Sequence, residues 1–463
     1  MELKNLEEIR HATAALATGN HDALDRLVWT AVFGSGELRG QARSAVLNQA
    51  RTAGIYPASI HSFYAARGRR ELPANFTVPA FNLRGMAYDT ARALMRARKT
   101  LGAGAVICEI ARSECSYTDQ PPAEYTLVML AAALREGCKG PVFLQGDHFQ
   151  VNAKKYAADA EAELQAVRDI SREAVTAGFY NIDIDTSTLV DLSKTSLEAQ
   201  QELNGGLCAG LTAFIRGLQP KGVTISIGGE IGEVGGHNST PEELTAFMKV
   251  YLEALDRIAH GMEGISKISI QTGTSHGGVP LPDGTVAQVK LDFGVIEALS
   301  KIAVERYGMG GAVQHGASTL PPELFDRFPK LGAVEIHLAT EFQNMIFDHP
   351  AFPADLKHAI YERLRTAAAA ERKAGDTDEQ FFYKARKKAN GLFKRELWSL
   401  PASVRAQIGQ SLEDKFRFLM QKLQVPGTAA AAAKYAPFVP GSYPVPGSPG
   451  AARKHEDVTG LAD

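Results

Sequence analysis

Polar and titratable side chains follow directly on apolar stretches at several points in this sequence. The clearest case is Pro141-Val-Phe-Leu-Gln-Gly-Asp147-His148, where an apolar run ends in a glycine, a carboxylate and an imidazole. Gly146 would let the backbone turn there without a Cβ penalty. A carboxylate can exchange a proton with a substrate hydroxyl, and a neutral imidazole is a common metal ligand. Taken alone, Asp147 and His148 could equally be a helix cap and a surface histidine.

Comparable polar groups end the other apolar runs of the middle of the chain. They are Asn82, Arg112-Ser113-Glu114, Asp185-Thr-Ser187, Glu230, His276-Gly277-Gly278, His315-Gly316-Ala317-Ser318 and His337. In a parallel barrel the carboxyl ends of the strands form one rim, and that rim carries the chemistry. His148, His276 and His315 would then converge on one volume. Nitrogen ligands at that density favour zinc, with one position left open for substrate.

Glycine-rich loops accompany these histidines. Small residues follow His276 and His315, so backbone amides there could approach an anion closely, and Ser318 adds a hydroxyl. The loops after the seventh and eighth strands are the usual phosphate site of such barrels. The segment Ile231-Gly-Glu-Val-Gly-Gly-His-Asn-Ser239 combines glycines with acid and base side chains, and it is typical of a lid that closes over a site.

Short apolar runs alternate with helical patterns from about residue 75 to 350, which is typical of βα units in a parallel sheet. The predicted strands are 77–82, 105–111, 141–148, 180–185, 224–230, 265–271, 311–315 and 333–337. Eight such units predict an α/β fold of the (β/α)8 TIM-barrel type. A doubly wound sheet is the alternative, but no GxGxxG follows the first strand and the chain has no P-loop motif.

The rest of the chain predicts helical extensions at both ends of the barrel. Residues 1–72 repeat apolar positions at helical spacing and are expected to be helical throughout. The barrel would span 73–350, and a second helical extension 351–424. Residues 425–463 combine an alanine run with scattered Pro and Gly, so we expect a mobile tail that buries too little to offset its ordering entropy.

The bulk composition excludes several classes of protein. The 463 residues carry a formal net charge of −2, which gives no electrostatic basis for binding nucleic acid or an anionic membrane. No apolar run approaches the roughly 20 residues that span a bilayer, and the acidic N-terminus does not read as a signal peptide. The four cysteines lack CxxC spacing, so neither a zinc ribbon nor a disulfide framework is expected. We expect a cytoplasmic protein.

Residues from about 77 to 350 resemble the class II, metal-dependent fructose-bisphosphate and tagatose-bisphosphate aldolases. The landmarks are Gly146-Asp147-His148, Ile184-Asp185-Thr-Ser187, Gly229-Glu230-Ile-Gly with Gly235-Gly236, Ser275-His276-Gly277 and His315-Gly-Ala-Ser318. The order and spacing of all five make the resemblance specific. It implies a (β/α)8 barrel, commonly a dimer or larger homo-oligomer. It also implies reversible cleavage of a ketose bisphosphate such as fructose 1,6-bisphosphate to dihydroxyacetone phosphate and an aldehyde.

The resemblance assigns metal-related roles. His148, His276 and His315 correspond to the ligands of the catalytic Zn2+, and Glu230 corresponds to a second or alternate metal position. Asp185 matches an aspartate that holds a ligand histidine in place. A monovalent cation is a further cofactor that the resemblance suggests.

The resemblance also assigns substrate-related roles. Asp147 corresponds to the aspartate that exchanges a proton with the C4 hydroxyl. Gly277, Gly316 and Ser318 fall on the site for the phosphate of dihydroxyacetone phosphate. Asn82 lies at the substrate-facing end of the first strand.

This sequence departs from the family at several substrate-facing positions. After Gly235-Gly236 the family has two acidic residues, whereas His237-Asn238 follow here, so His237 or Glu233 would have to move the proton at the nucleophilic carbon. The family's Asn-x-Asp after the eighth strand aligns with His337 and Ala339, and Thr340 is retained. Arg386 resembles the arginine that binds the distal phosphate.

Three alternatives therefore stay open. The chain could act on another ketose phosphate, such as tagatose 1,6-bisphosphate. It could be a metal-dependent isomerase or hydrolase on the same barrel. It could also be a non-catalytic, aldolase-like subunit that binds a sugar phosphate or supports a catalytic partner.

Overall fold

Parallel strands form a closed barrel in the computed structural model, which describes residues 2–232, 237–273, 281, 291–318, 320–444 and 456–462. The strands are β1 Ile55–Ala58, β2 Val78–Asn82, β3 Ile107–Ala111, β4 Gly140–Gln150, β5 Asn181–Asp185, β6 Ser226–Glu230, β7 Lys267–Ile270, β8 Ala312–Gln314 and β9 Glu335–Leu338. Strands β2 to β9 pair in parallel in sequence order, and pairings of β2 with β9 and of β4 with β5 complete the ring. The predicted (β/α)8 barrel is confirmed, and each predicted strand overlaps one of these eight.

Helices surround the barrel and extend it at both ends. Before the barrel lie α1 Leu6–Ala17, α2 His21–Phe33, α3 Gly36–Thr52 and α4 His61–Gly68. Between its strands lie α5 Ala87–Leu101, α6 Arg112–Tyr117, α7 Pro122–Glu136, α8 Ala153–Ala158, α9 Ala160–Thr176, α10 Leu197–Gln200, α11 Glu202–Leu218, α12 Pro241–Ile258, α13 Phe293–Tyr307 and α14 Arg327–Lys330. After it lie α15 Thr340–Phe347, α16 Ala354–Ala367, α17 Asp378–Ala385, α18 Ala389–Leu392, α19 Lys394–Trp398, α20 Ala402–Lys422 and α21 Ala429–Tyr435.

Single-turn 3₁₀ helices at Ser187–Leu189, Pro322–Leu324, Ala369–Glu371 and Arg386–Lys388 complete the helical structure of the described residues. Helix α12 shows how local sequence sets these boundaries. Thr240 and Glu243 form a reciprocal capping box around Pro241 at its start. None of the helices in the described ranges is long and apolar enough to cross a membrane.

The N-terminal extension differs from the prediction that it is helical throughout. Residues Ile55–Ala58 form β1, which pairs in parallel with Gly140–Phe143 at the start of β4. Ile55 and Ala58 are buried there. Helical periodicity did not predict this short run because its strand conformation depends on a partner edge some 85 residues away in sequence.

The predicted mobile tail also differs from the structure over its first part. Residues 425–444 include α21, bury Val425 and Ala432, and pack against the amino-terminal end of the barrel. Thr428 Oγ1 accepts hydrogen bonds from the amides of Gly104 and Ala105, 3.0 Å away in each case, just before β3. Hydrogen bonds of this kind, from main-chain amides to a side-chain hydroxyl, do not show in composition. The domain boundaries at 72, 350 and 424 stay predictions.

The barrel interior carries a buried cluster of charges instead of an apolar core alone. Lys267 of β7 is fully buried, and its ammonium group donates to Gln145 Oε1 at 2.8 Å, to Asp183 Oδ2 at 2.9 Å and to Glu335 Oε1. Tyr64 of α4 donates to the other oxygen of Glu335. Burial alone would lower the pKa of Lys267, but the two carboxylates outweigh it and raise that pKa above its ordinary value. The lysine therefore stays charged.

Lys267→Met is expected to lower the free energy of unfolding by about 3–5 kcal/mol, because it leaves the carboxylates of Asp183 and Glu335 buried without their cation. Urea unfolding followed by far-ultraviolet circular dichroism measures the loss. Lys301→Met is the matched control, since Lys301 is exposed on α13 and its loss should change stability by less than about 0.5 kcal/mol. Equal effects of the two substitutions would contradict a structural role for the buried ammonium.

Candidate active site

A bulge in β4 places two adjacent residues on the same side of the strand. Neighbouring residues of a regular strand point to opposite faces. Here the pairing with β5 shifts between Gly146 and Phe149, and His148 adopts a left-handed φ of 40°. Asp147 and His148 are consequently both buried and both contact groups of the barrel mouth.

Gly146 serves this bulge in a way that the sequence did not predict. Its own φ is not positive, and the left-handed conformation falls on His148. A Cβ atom on Gly146 would instead lie 2.4 Å from Cζ of Phe149. Glycine therefore makes room for the Phe149 ring, which packs across the bulge.

His148 is oriented by two carboxylates. Its Nδ1 lies 3.2 Å from Asp185 Oδ2 and 3.5 Å from Glu230 Oε2. Because a carboxylate can only accept, Nδ1 carries the proton, and Nε2 is the nitrogen suited to a metal. Ser187 holds the other oxygen of Asp185 through its amide at 3.0 Å and its hydroxyl at 2.6 Å. Asp185 thus contacts His148, one of the three histidines predicted as metal ligands.

The electrostatics of these groups follow from burial and mutual contact. Burial, followed by the neighbouring Asp185, raises the pKa of Glu230 to about 8. Burial would lower the pKa of His148, but Asp147, Asp185 and Glu230 together raise it well above its ordinary value. The site thus stabilises positive charge strongly.

Two further imidazoles lie close to His148, with their ring planes tilted. The ring centroids of His148 and His315 are 4.5 Å apart, and those of His315 and His337 are 4.1 Å apart. Ser269 Oγ lies 2.9 Å from His315 Nε2. The structure therefore brings together two of the three predicted zinc ligands and Glu230. The third, His276, lies outside the described residues.

His337 sits among carboxylates at the end of β9. Its Nε2 lies 2.7 Å from Glu335 Oε1, the oxygen that also accepts from Lys267. Its Nδ1 lies 3.0 Å from Glu109 Oε2 and 3.1 Å from Asp147 Oδ1. The pKa of His337 would fall on burial, but these acids raise it well above its ordinary value. Although burial opposes ionisation, His148 and His337 hold the pKa of Asp147 well below its usual range.

The donor set suits a divalent metal. The described residues form three groups whose ligand atoms all lie within 4.8 Å of one another, namely Asp147–His315–His337, His148–Asp185–Glu230 and Asp183–Glu335–His337. Lys267 already bonds both carboxylates of the third group. The first two adjoin through the rings of His148 and His315. Imidazole nitrogens with carboxylate oxygens are ligands that Zn2+ accepts, so these residues fit the expected metal.

The predicted phosphate and substrate residues lie around this rim. Gly316 has a φ of 67°, a conformation that favours glycine, and Ser318 Oγ accepts from the Ala339 amide at 2.7 Å. Asn82 donates to Glu114, and Thr340 Oγ1 accepts from Arg84 at 3.3 Å. Gly277 lies outside the described residues.

The remaining predicted residues have contacts with groups other than the imidazoles of His148, His315 and His337. His237 Nε2 bonds Glu243 Oε1 at 2.6 Å and lines a cavity of about 140 Å³ with Ser187 and Gln271. Arg386 bonds Asp348 at 2.8 Å and Asn344 at 2.5 Å. Glu233, the other candidate for proton transfer, lies outside the described residues.

Two residues of the site, Arg84 and Gln150, were not singled out from sequence. Arg84 bonds Glu114 Oε1 at 2.7 Å, and this fully buried pair holds Asn82 at the rim. Gln150 donates to Asp185 at 2.6 Å. Both lie two residues beyond a predicted site residue, Asn82 or His148. For Gln150, the last residue of β4, that spacing follows the two-residue period of strands and is the signal that could have found it.

This chain resembles several solved structures at low sequence identity. No curated protein matches this chain significantly. The structure of a probable tagatose 6-phosphate kinase from Sinorhizobium meliloti aligns with a TM-score of 0.51 and 17% identity, over 77% of this chain and 93% of that chain. Fructose-bisphosphate aldolase from Campylobacter jejuni gives 0.47 and 18%, over 81% and 96%. The YdjI aldolase from Escherichia coli K12 gives 0.47 and 13%, over 80% and 98%.

The family itself is shown by sequence. Residues 72–396, well over half of the chain, match the model of the class II fructose-bisphosphate aldolases. The match includes all eight strands of the barrel and the rim that carries Asp147, His148, Glu230 and His315. This chain therefore belongs to the class II fructose-bisphosphate aldolase family, whose members are lyases.

Proposed function

We propose that this lyase is a zinc-dependent aldolase that reversibly cleaves a ketose bisphosphate, such as fructose 1,6-bisphosphate, to dihydroxyacetone phosphate and an aldehyde. The observation that supports it most is the β4 bulge, which puts Asp147 and His148 into one buried site with Glu230 and His315. A potential base thus lies directly beside a set of metal ligands. Family membership supplies the reaction class.

His148, His276 and His315 would hold the zinc ion, and Glu230 would serve a second or alternate metal position. When bound, zinc supplies Lewis-acid stabilisation of the negative charge that develops on the substrate oxygens. Asp185 fixes the tautomer of His148 that presents Nε2.

Asp147 would accept the proton of the C4 hydroxyl. As the C3–C4 bond breaks, the C4 oxygen becomes the carbonyl of the leaving aldehyde, and the electron pair of the bond passes into the three-carbon fragment. His337 of β9, three strands from β4 around the barrel, holds the Asp147 carboxylate in place. The proton that C3 then needs would come from His237 or Glu233.

Substrate binding would use the other rim residues. Gly277, Gly316 and Ser318 are suited to the phosphate of dihydroxyacetone phosphate, and Asn82 and Thr340 to the sugar. A second candidate is an aldolase of another ketose phosphate, such as tagatose 1,6-bisphosphate, because two groups aligned with the family's substrate-binding residues already have protein partners. His337, at the family's asparagine position, is engaged by Glu335, and Arg386 is engaged by Asp348.

The proposal includes the cellular compartment and the assembly of the enzyme. The four cysteines are free and buried, which suits a reducing compartment such as the cytoplasm. A dimer or larger homo-oligomer remains our expectation for its assembly.

Zinc-loaded protein is expected to cleave at least one substrate in a panel of fructose 1,6-bisphosphate, tagatose 1,6-bisphosphate and ketose 1-phosphates. Release of dihydroxyacetone phosphate, measured by coupled reduction with NADH, identifies which. A chelator should abolish the activity, and added zinc should restore it. If no member of the panel is cleaved with zinc, cobalt or manganese, the proposal is wrong.

The single substitutions His148→Ala, His276→Ala and His315→Ala are each expected to lose both bound zinc and activity, because each removes one ligand of the same ion. Metal content by plasma emission spectroscopy and the coupled assay measure the two losses. His260→Ala is the control, since His260 lies just beyond the end of α12, is exposed, and contacts Asp256 at 2.6 Å. Full metal content in His276→Ala would show that the ligand set is wrong.

Asp147→Asn is expected to lower kcat for cleavage by about 10²–10⁴-fold, the usual contribution of a general base, while zinc content stays at the wild-type level. The amide keeps the size of the carboxylate but cannot take the C4 hydroxyl proton. Asp169→Asn, on the exposed face of α9, serves as the control. Unchanged turnover in Asp147→Asn would assign the proton transfer to another group. If the wild-type protein isomerised or hydrolysed the substrate without cleaving a carbon–carbon bond, this barrel would carry a different enzyme activity.

A further inference from the structure

The segment 456–462 lies across the carboxyl-terminal rim of the barrel. Its main chain accepts hydrogen bonds from side chains that follow β3 and β4. They are Ser116 to Glu456 O at 3.1 Å, Asn152 to Thr459 O at 3.1 Å, Ser113 to Ala462 O at 2.7 Å, and Lys155 to Asp457 O. The segment therefore bridges two neighbouring strand ends at the mouth of the site.

A buried arginine anchors this segment. Arg112 is fully buried and pairs with Glu163 at 2.7 Å and with Glu456. It also donates to the carbonyl oxygen of Gln150 at 2.5 Å. The same guanidinium thus joins the segment to the last residue of β4, two positions beyond His148.

A chain of hydrogen bonds leads from the segment to His148. The Ala462 amide donates to Gln150 Oε1 at 2.9 Å, and Gln150 Nε2 donates to Asp185 Oδ2 at 2.6 Å. That same oxygen lies 3.2 Å from His148 Nδ1. A backbone amide can only donate and a carboxylate can only accept, so the two contacts require one orientation of the Gln150 amide.

The orientation of this amide matters to Asp185. If the Gln150 amide turned over, its oxygen would face the carboxylate and the donor to Oδ2 would be lost. The Ala462 amide selects the orientation in which the NH2 group faces Asp185. Groups that hold a metal-binding histidine from behind typically change metal affinity 10- to 100-fold when removed.

We propose that Gln150 is a positioning residue for His148 and that the segment 456–462 acts through it, by way of the Ala462 amide. This inference rests on the proposed function, because it takes His148 as a zinc ligand. The segment is then a part of the catalytic domain's working structure, and zinc affinity depends on a residue far from the barrel in sequence.

The test compares Ala462→Pro, which removes the N–H donor, with Ala462→Gly, which keeps it, in the full-length protein. The dissociation constant for Zn2+ is measured by competition with a chromophoric chelator. Gln150→Ala and Ala462→Pro are each expected to weaken zinc binding by about tenfold or more, and Ala462→Gly should bind as wild type does. Thermal unfolding of the metal-free proteins should be the same for the two Ala462 variants.

The double variant Gln150→Ala/Ala462→Pro separates positioning from general loosening. If Ala462 acts through Gln150, the double variant binds zinc as weakly as Gln150→Ala alone, whereas independent effects would add. Additive losses, or wild-type affinity in Ala462→Pro, would overturn the inference while leaving the proposed function in place. A wild-type protein that binds no zinc would overturn both, and that result is seen before any variant is made.

Discussion

The buried ammonium group of Lys267 is the contact on which the rest of the site depends. The interior of this barrel holds more carboxylates than an apolar core could tolerate, and buried anions must be paired or protonated. Lys267 bonds Asp183 and Glu335 directly. Glu335 in turn bonds His337, and His337 contacts Asp147. Lys267, Glu335 and His337 thus set the position of Asp147, the group assigned to proton transfer, through a series of charged contacts.

The second constraint is local and lies in the backbone of β4. A left-handed residue that is not glycine is costly and persists where its surroundings require it. His148 takes that conformation, and Gly146 leaves the space that the Phe149 ring needs behind it. The alternation of side chains along the strand is interrupted where a base and a metal ligand must lie on the same side. Residues 146–149 therefore both pack the strand and place its two reactive side chains on one side.

Much of this architecture could be predicted from sequence because it follows from local patterns of apolar and polar residues. Apolar runs alternating with helical patterns predicted the eight strands, and polar residues at their ends predicted that His148 and His315 meet. The family resemblance added Glu230 and Asp185 beside them. The charge network around Lys267 could not be predicted, since a lone lysine in an apolar run does not show which carboxylates on other strands face it. The ordered part of the tail was missed for a related reason: its contacts include hydrogen bonds from the amides of Gly104 and Ala105 to Thr428, which leave no trace in composition. His337 was expected to face the substrate, whereas its nearest partners are acids of the barrel interior.

The short strand β1 has a consequence for how this chain can be cut or rebuilt. It covers the side of Gly140–Phe143 that β5, whose pairing with β4 begins at Gln145, does not reach. A shortened protein beginning at residue 73 would leave unpaired amides and carbonyls on that edge of β4, the strand that carries Asp147 and His148. Open strand edges are templates for pairing with other chains. The N-terminal extension thus also protects the barrel from pairing with other chains through this edge. A shortened version of the enzyme should therefore keep β1 if it is to stay dispersed in solution.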